Sequence, residues 1–231
     1  MLIIADKKIP EEAKCKLQKF EKLVLLETSG ITEESISGHP DIYFCKTQNR
    51  LIVAPNLPED YKSILTTNNI LFSEGKTHVG LKYPEAAHYN AVITDNYLIH
   101  RTDITEPEIL NDCNDLSKIH VGQGFTRCSL LALKANNFIT SDEGIYKTLI
   151  SFGFKTLLVT TENIILPGHR YGLFGGTCGI YKDKIFIIGS LANYKDGNKV
   201  RIFMELLNYK IIELYDGPLF DGGSICFIGN R

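Results

Sequence analysis

The chain has 231 residues, with 25 Lys and Arg against 27 Asp and Glu, a formal net charge of −2, and 44% apolar and 23% charged residues. This is the composition of an ordinary globular protein. The absence of a Lys/Arg block excludes the concentrated positive field of a nucleic-acid footprint. No stretch approaches the ~18 apolar residues of a membrane span, and the three apolar residues before Ala5 fall short of the ~7–15-residue core of a secretory signal. Six cysteines (Cys15, Cys45, Cys113, Cys128, Cys178, Cys226) form no CxxC pair and no zinc-ligand spacing. That pattern predicts reduced thiols in a cytoplasmic protein.

In chain order, Leu2-Ile-Ile-Ala reads as a strand, Glu11–Phe20 as a helix and Lys22–Leu26 as a second strand. Then come four segments of one pattern, a β-rich run, a polar turn and another β-rich run. They start at Asp41 (DIYFCKTQNRLIVAP), Asn90 (NAVITDNYLIHRT), Cys128 (CSLLALKANNFITSD) and Cys178 (CGIYKDKIFIIGS). Their turns carry the Asn and Asp that tight hairpins favour. After each hairpin a helical stretch leads to a further strand: Pro58–Leu65 to Ile70-Leu-Phe, Glu106–Leu110 to Lys118-Ile-His-Val, Ser141–Ile150 to Thr156-Leu-Leu-Val, and Asn198–Leu207 to Lys210-Ile-Ile-Glu-Leu. Ser141 is the expected N-cap of the third of these helices.

A fifth unit is expected to combine Ser224-Ile-Cys-Phe-Ile-Gly with the three N-terminal elements. Unit starts at 41, 90, 128, 178 and 224 are 49, 38, 50 and 46 residues apart, and the step through the termini is 48. A closing step so near the others points to a single domain over 1–231, an α/β fold with five-fold pseudosymmetry. Its strand-strand-helix-strand units would close into a ring, an α/β propeller whose last unit is completed by the N-terminal strand. A doubly wound sheet also alternates strands and helices, but it needs neither a hairpin in every unit nor a fifth unit shared by the termini.

Gln123-Gly-Phe-Thr-Arg-Cys-Ser, Phe174-Gly-Gly and Leu214-Tyr-Asp-Gly-Pro-Leu-Phe-Asp-Gly-Gly-Ser-Ile, together with the five units, resemble the pentein fold. That fold is shared by arginine deiminases, agmatine deiminases, amidinotransferases, dimethylarginine dimethylaminohydrolases and a non-enzymatic ribosome anti-association factor. The detailed motifs are most similar to a bacterial family of this fold with no established activity. The resemblance implies a carboxylate, a His and a Cys nucleophile at unit starts facing a central cavity. Asp221-Gly-Gly-Ser224, His39-Pro-Asp41 and Arg127-Cys128 occur in the matching cyclic order, although Asp221 replaces the commoner Glu, Ser224 replaces Asp, and the mapping requires the chain to be circularly permuted relative to those enzymes. Without that rotation the Cys position falls at Cys226 and the His position at Arg127-Cys128, which leaves no base.

On the rotated register the catalytic set is Cys128, His39 and Asp221, with Asp41, Arg127, Asn90, Gly222, Gly223 and Ser224 around the substrate. A thiol that attacks an amidino carbon must become thiolate, and Arg127 and the substrate cation are the expected sources of positive charge. His39 would protonate the leaving amine and then activate water. Asp41 would pair with a guanidinium nitrogen. The expectation is therefore a Cys-dependent hydrolase or transferase for a small guanidino or amidino compound, without metal or cofactor. The alternative is a non-catalytic binding module with a protein or ribosomal partner. Each residue alone has an ordinary reading, since Cys at the head of an apolar strand is usually core packing and Asp-Gly-Gly is a common turn. Cys178, after Phe174-Gly-Gly-Thr, is a second candidate nucleophile.

Overall fold

The computed structural model describes residues 1–229. Five three-stranded sheets repeat one topology, in which the middle strand pairs antiparallel with the first and parallel with the third. The first unit comprises strands Phe44–Lys46 and Leu51–Val53, helix Glu59–Thr67 and strand Phe72–Glu74. The second comprises Val92–Ile93, Tyr97–His100, Pro107–Asp112 and Ser117–His120. The third is Leu130–Leu133, Asn137–Thr140, Glu143–Ser151 and Thr156–Leu158, and the fourth Cys178–Tyr181, Lys184–Ile187, Gly197–Leu206 and Lys210–Glu213. In the fifth, Cys226–Ile228 pairs with the N-terminal strand Leu2–Asp6, which helix Glu11–Gln18 connects to Lys22–Leu26. A separate two-stranded parallel pair joins Ile164–Ile165 to Leu219–Phe220.

The local chemistry of the units is conventional. Left-handed residues make the hairpin turns of the third and fourth units, Ala135 and Asn136 in one and Lys182 in the other. The helix Glu143–Ser151 buries Ile145 and Leu149, four residues apart on one face, and exposes Glu143 and Lys147, which pair with each other. Its N-cap is Asp142, whose carboxylate accepts from the Ile145 amide at 2.8 Å. The expected cap, Ser141, instead accepts from the amide of Phe174. None of the six cysteines is paired in a disulfide. Among the described residues no helix is long and apolar enough to cross a membrane.

The first strands begin later than expected at Phe44, Val92, Leu130 and Cys226, while Cys178 is as expected. The displaced residues belong to short entry segments. Helical turns Pro40–Tyr43 and Thr126–Ser129 run directly into the strands of the first and third units, Gly175–Thr177 forms a 3-10 turn before the fourth, and Glu85–Ala87 another shortly before the second. Pro40 suits the start of such a turn, because its fixed φ is helical and its missing N–H would have had no partner there.

Successive entries bond to one another. The Asn90 side-chain amide donates to the Asp41 carbonyl (3.1 Å), and the Arg127 amide to the Asn90 carbonyl (2.9 Å). The Arg127 guanidinium donates to the carbonyls of Gly175 (3.0 Å) and Cys178 (3.2 Å). The Ser224 amide donates to Gly176 (2.8 Å), and the Asp41 amide to Gly223 (3.2 Å). Inside the strands, residues of all five first strands line a cavity of about 270 Å³, among them Cys45, Val92, Leu131, Ile180 and Phe227.

The Gly223–Ser224 corner is left-handed at both residues, with φ of +62° and +70°. A Cβ on Gly223 would overlap the His39 side chain. Gly223→Ala is therefore expected to lose about 1–3 kcal/mol, the usual cost of a non-glycine residue held in this region. Gly122→Ala, where an added Cβ meets nothing within 4 Å, should change little. Equal denaturation midpoints for the two variants would refute this account.

Candidate active site

Two one-turn helices and the amide between them assemble the site. Asn90 is fully buried, and its side-chain oxygen accepts from the backbone amides of Arg127 (2.7 Å) and Cys128 (3.1 Å). Its side-chain nitrogen reaches the Asp41 carbonyl and lies 3.6 Å from the Cys128 sulfur. The turn of the third unit is thereby fixed against that of the first, and the Cys128 thiol donates to Asp41 Oδ2 at 3.0 Å. His39, at the N-cap of the first turn, brings an imidazole nitrogen into the same cluster. The donor atoms of His39, Asp41 and Cys128 all lie within 4.8 Å of one another. Among the described residues this is the only His/Cys/carboxylate group close enough to share one metal ion, a proximity that the linear spacing of the three residues does not reveal.

Asp221 is held by backbone donors, Leu173 N to Oδ2 (2.8 Å) and Gly223 N to Oδ1 (3.0 Å). Gly176 must be glycine here, since a Cβ would overlap the Asp221 carboxylate. Cys128, His39 and Asp221 line one cavity of about 280 Å³, whose wall is mainly apolar and includes Tyr83, Phe125 and Tyr171. The three residues expected to form the catalytic set therefore share one space.

The expected substrate-contacting residues do not. Asp41, Arg127 and Ser224 line the cavity among the first strands, which has no lining residue in common with the other. The reason is helical phase, because neighbours on a helical turn point in different directions whereas residues three or four apart share a face. Phe125 and Cys128 face one cavity and Arg127 the other, just as His39 and Ile42 face one and Asp41 the other. Arg127 spends its guanidinium on two carbonyls and does not activate the thiol. Asn90 acts as a buried brace, Gly222 packs against Ile9, and Gly223 makes room for His39. The other candidate thiols are separate: Cys178 is fully buried beside the Thr177 hydroxyl, and Cys226 lines the first-strand cavity, which has no His in its lining.

The sequence reading missed Asp6. It closes the strand Leu2–Asp6, is buried, and places Oδ2 3.7 Å from His39 Nε2. Neither that oxygen nor either His39 ring nitrogen has a hydrogen-bond partner among the described residues. A carboxylate ending an otherwise apolar strand was the available signal, because an acid that is buried needs a reason to be there.

Burial dominates the electrostatics. It raises the Cys128 thiol well above its ordinary value, helped by the negative charges of Asp41 and Asp221. It raises Asp41 to about 7, against the opposing pull of the Cys128 hydrogen bond and Arg127. Burial also lifts Asp221 and Asp6 each to about 6 and lowers His39 to about 3, Lys8 adding to the last effect. Near neutral pH the site holds a protonated thiol and a neutral imidazole beside carboxylates that pair with no Lys or Arg among the described residues.

A model described as "Family of unknown function (DUF6873)" matches residues 4–226, and the chain belongs to that family. No curated protein matches it. Among solved structures, DDAH from Pseudomonas aeruginosa complexed with citrulline is 12% identical with a TM-score of 0.56, covering 92% of this chain and 91% of that one. C. jejuni agmatine deiminase is 12% identical with a TM-score of 0.53, covering 92% and 74%. SxtG, an amidinotransferase from Microseira wollei, is 11% identical with a TM-score of 0.53, covering 92% and 87%. The likeness is one of fold, the α/β fold of the pentein enzymes.

Folding lifts Asp41 from 3.8 to about 7, so the native state holds this proton more tightly than the unfolded chain does. The stability it contributes is complete below about pH 4 and is lost as the pH rises through about 7. Asp41→Asn keeps an acceptor for the Cys128 thiol and has no proton to lose. Its melting temperature should gain on the wild type from pH 4 to pH 7 and hold that gain above. A difference independent of pH would contradict the assignment.

Proposed function

We propose that this chain is a cytoplasmic Cys-dependent hydrolase or transferase acting on a small guanidino or amidino compound, with Cys128 as nucleophile, His39 as proton carrier and Asp221 facing the substrate cation. The chain would be one domain over 1–231, its five units closed into a ring. Closure is supported by the entry-to-entry hydrogen bonds, which run from the first unit through the fifth and back to Asp41. It is also supported by the cavity that all five first strands line. A reducing cytoplasm suits six unpaired cysteines.

The observation that carries the reading is the Cys128 thiol donating to Asp41 while His39 and Asp221 face the same cavity. Deprotonating that thiol without a bound cation would add a negative charge beside two carboxylates. A planar amidinium bound against Asp221 changes the balance, since an opposite charge within ~4–6 Å lowers a thiol pKa by roughly 1–3 units. The thiol proton passes to Asp41, and the thiolate attacks the amidinium carbon and forms a C–S bond. Asp41 passes that proton to His39, and the transient imidazolium, with Asp6 3.7 Å away, delivers it to the departing nitrogen as the C–N bond breaks, which leaves His39 neutral. Neutral His39 then takes a proton from water, or from an acceptor amine in a transferase. The new C–O or C–N bond forms, C–S breaks, and the thiol is restored. Asp41 thus serves the thiol proton instead of the substrate, which accounts for its place outside the cavity lined by Cys128.

Chloroacetamidine, a cationic alkylator, is expected to label Cys128 before the other five cysteines. Its rate advantage over neutral chloroacetamide should be roughly 10- to 1,000-fold in the folded protein, the range that a 1–3-unit fall in thiol pKa provides, and should shrink on unfolding. His39→Ala should slow the labelling, and Cys128→Ala should abolish it. Equal rates for the two reagents at Cys128, read by peptide mass spectrometry, would leave a non-catalytic binding module as the better reading.

A further inference from the structure

The wall of the Cys128 cavity has a chemical bias that the reacting groups do not explain. Among its lining residues there is no Lys and no Arg. The charged side chains are the carboxylates Glu33 and Asp221, and the two imidazoles are those of His39 and His169. His169 Nε2 is engaged with the Ser35 hydroxyl at 2.8 Å. Arg101 lies behind the wall, donating to the Tyr83 hydroxyl, and its guanidinium is occupied by Asp103. A carboxylate at the far end of a substrate would therefore meet, among the described residues that line this cavity, no cation or guanidinium fork of the kind that recognises carboxylates, while Glu33 stands in the wall.

The rest of the wall is apolar, with Ile36, Ile42, Phe125 and Leu173 among the side chains lining it. Leu81, Tyr83 and Tyr171, also in the wall, remain 54%, 46% and 49% exposed, although large hydrophobic side chains of this kind are otherwise mostly buried here. Exposed apolar residues clustered around a concave site mark a surface that a ligand covers. At about 280 Å³ the cavity is at the small end of ligand sites, which run to roughly 300–1,000 Å³.

We infer that the substrate of this site is a monocationic guanidine or amidine with an uncharged aryl or branched alkyl substituent and no carboxylate, unlike arginine or citrulline. The cation lies against Asp221 near Cys128, and the substituent lies along Phe125, Tyr83 and Tyr171. This inference rests on the amidino reading of the site, but binding tests it independently of turnover.

The test is titration calorimetry of the intact chain with phenylguanidine, agmatine and L-arginine. These probes share the guanidinium and differ in tail: aryl, amine, or amino acid. Phenylguanidine should bind at least tenfold more tightly than either of the others, and it should protect Cys128 from chloroacetamidine at correspondingly lower concentration. Tyr171→Ala, which removes part of the wall, should narrow the ratio of phenylguanidine to agmatine affinity. Binding of L-arginine or agmatine as tight as that of phenylguanidine, or no binding of phenylguanidine, would overturn the inference. If phenylguanidine binds with the stated preference while chloroacetamidine fails to label Cys128, the specificity stands and the catalytic reading falls. If labelling succeeds but the preference is absent, the reverse holds.

Discussion

Every functional group in this protein depends on how the five entry segments bond to one another. Strand pairing within each sheet fixes the unit but not its neighbour. Between units, the registers are set by a few hydrogen bonds from Asn90, Arg127, Ser224 and Asp41 to the backbone of the adjoining entry. Asn90 is the most consequential of these, because one fully buried amide uses both ends. Its oxygen holds the turn that presents Cys128, and its nitrogen holds the carbonyl of Asp41. Removing it would strand buried amide donors, which costs about 1–3 kcal/mol for each group left unpaired. It would also release the one contact that brings thiol and carboxylate to 3.0 Å.

That contact lies where the two cavities come nearest in chemistry without sharing a lining residue. Cys128 belongs to the apolar, aromatic-walled cavity and Asp41 to the one among the first strands. The hydrogen bond between them separates the group that would touch a substrate from the group that would take its proton. Asp41 Oδ1 has no hydrogen-bond partner among the described residues, so the carboxylate has an unused acceptor beyond the one that the thiol occupies. A carboxyl with a pKa near 7 is well suited to accept and return a proton near neutral pH.

Much of this arrangement was legible in the sequence. Period-2 apolar runs broken by Asn- and Asp-bearing turns gave the hairpins, and their regular spacing gave five units, including the one shared by the two ends of the chain. Cys128, His39 and Asp221 were implied by the resemblance to the pentein enzymes at the unit starts, and they do line one cavity. What was not legible was the phase of two four-residue turns. Read as extended strand, His39 and Asp41 share a face, being two residues apart. Wound into a helical turn, they face different cavities. A turn of four residues flanked by β-rich sequence has too few positions to show a helical period, so Pro40 was the only local mark of it. Asp6 was obscure for a different reason: its partner His39 is 33 positions away in sequence, and only the pairing of the fifth sheet brings the strand Leu2–Asp6 against the first unit's entry.

The buried ionisable groups also limit what can complete the site. Asp6, Asp41 and Asp221 are each raised by desolvation, and the thiol is raised further by two of them. An anion in the cavity would increase that penalty. Protonated His39 would compensate, but its own burial opposes the charge and Lys8 adds to the opposition. A cation of the class proposed above would relieve the penalty, with the apolar part of the ligand against Phe125 and Tyr171. Because such a ligand binds more strongly as the carboxylates ionise, it stabilises the fold most where the empty protein is weakest, above the raised carboxylate pKa values. The cost of burying these acids would thereby be offset on binding such a cation.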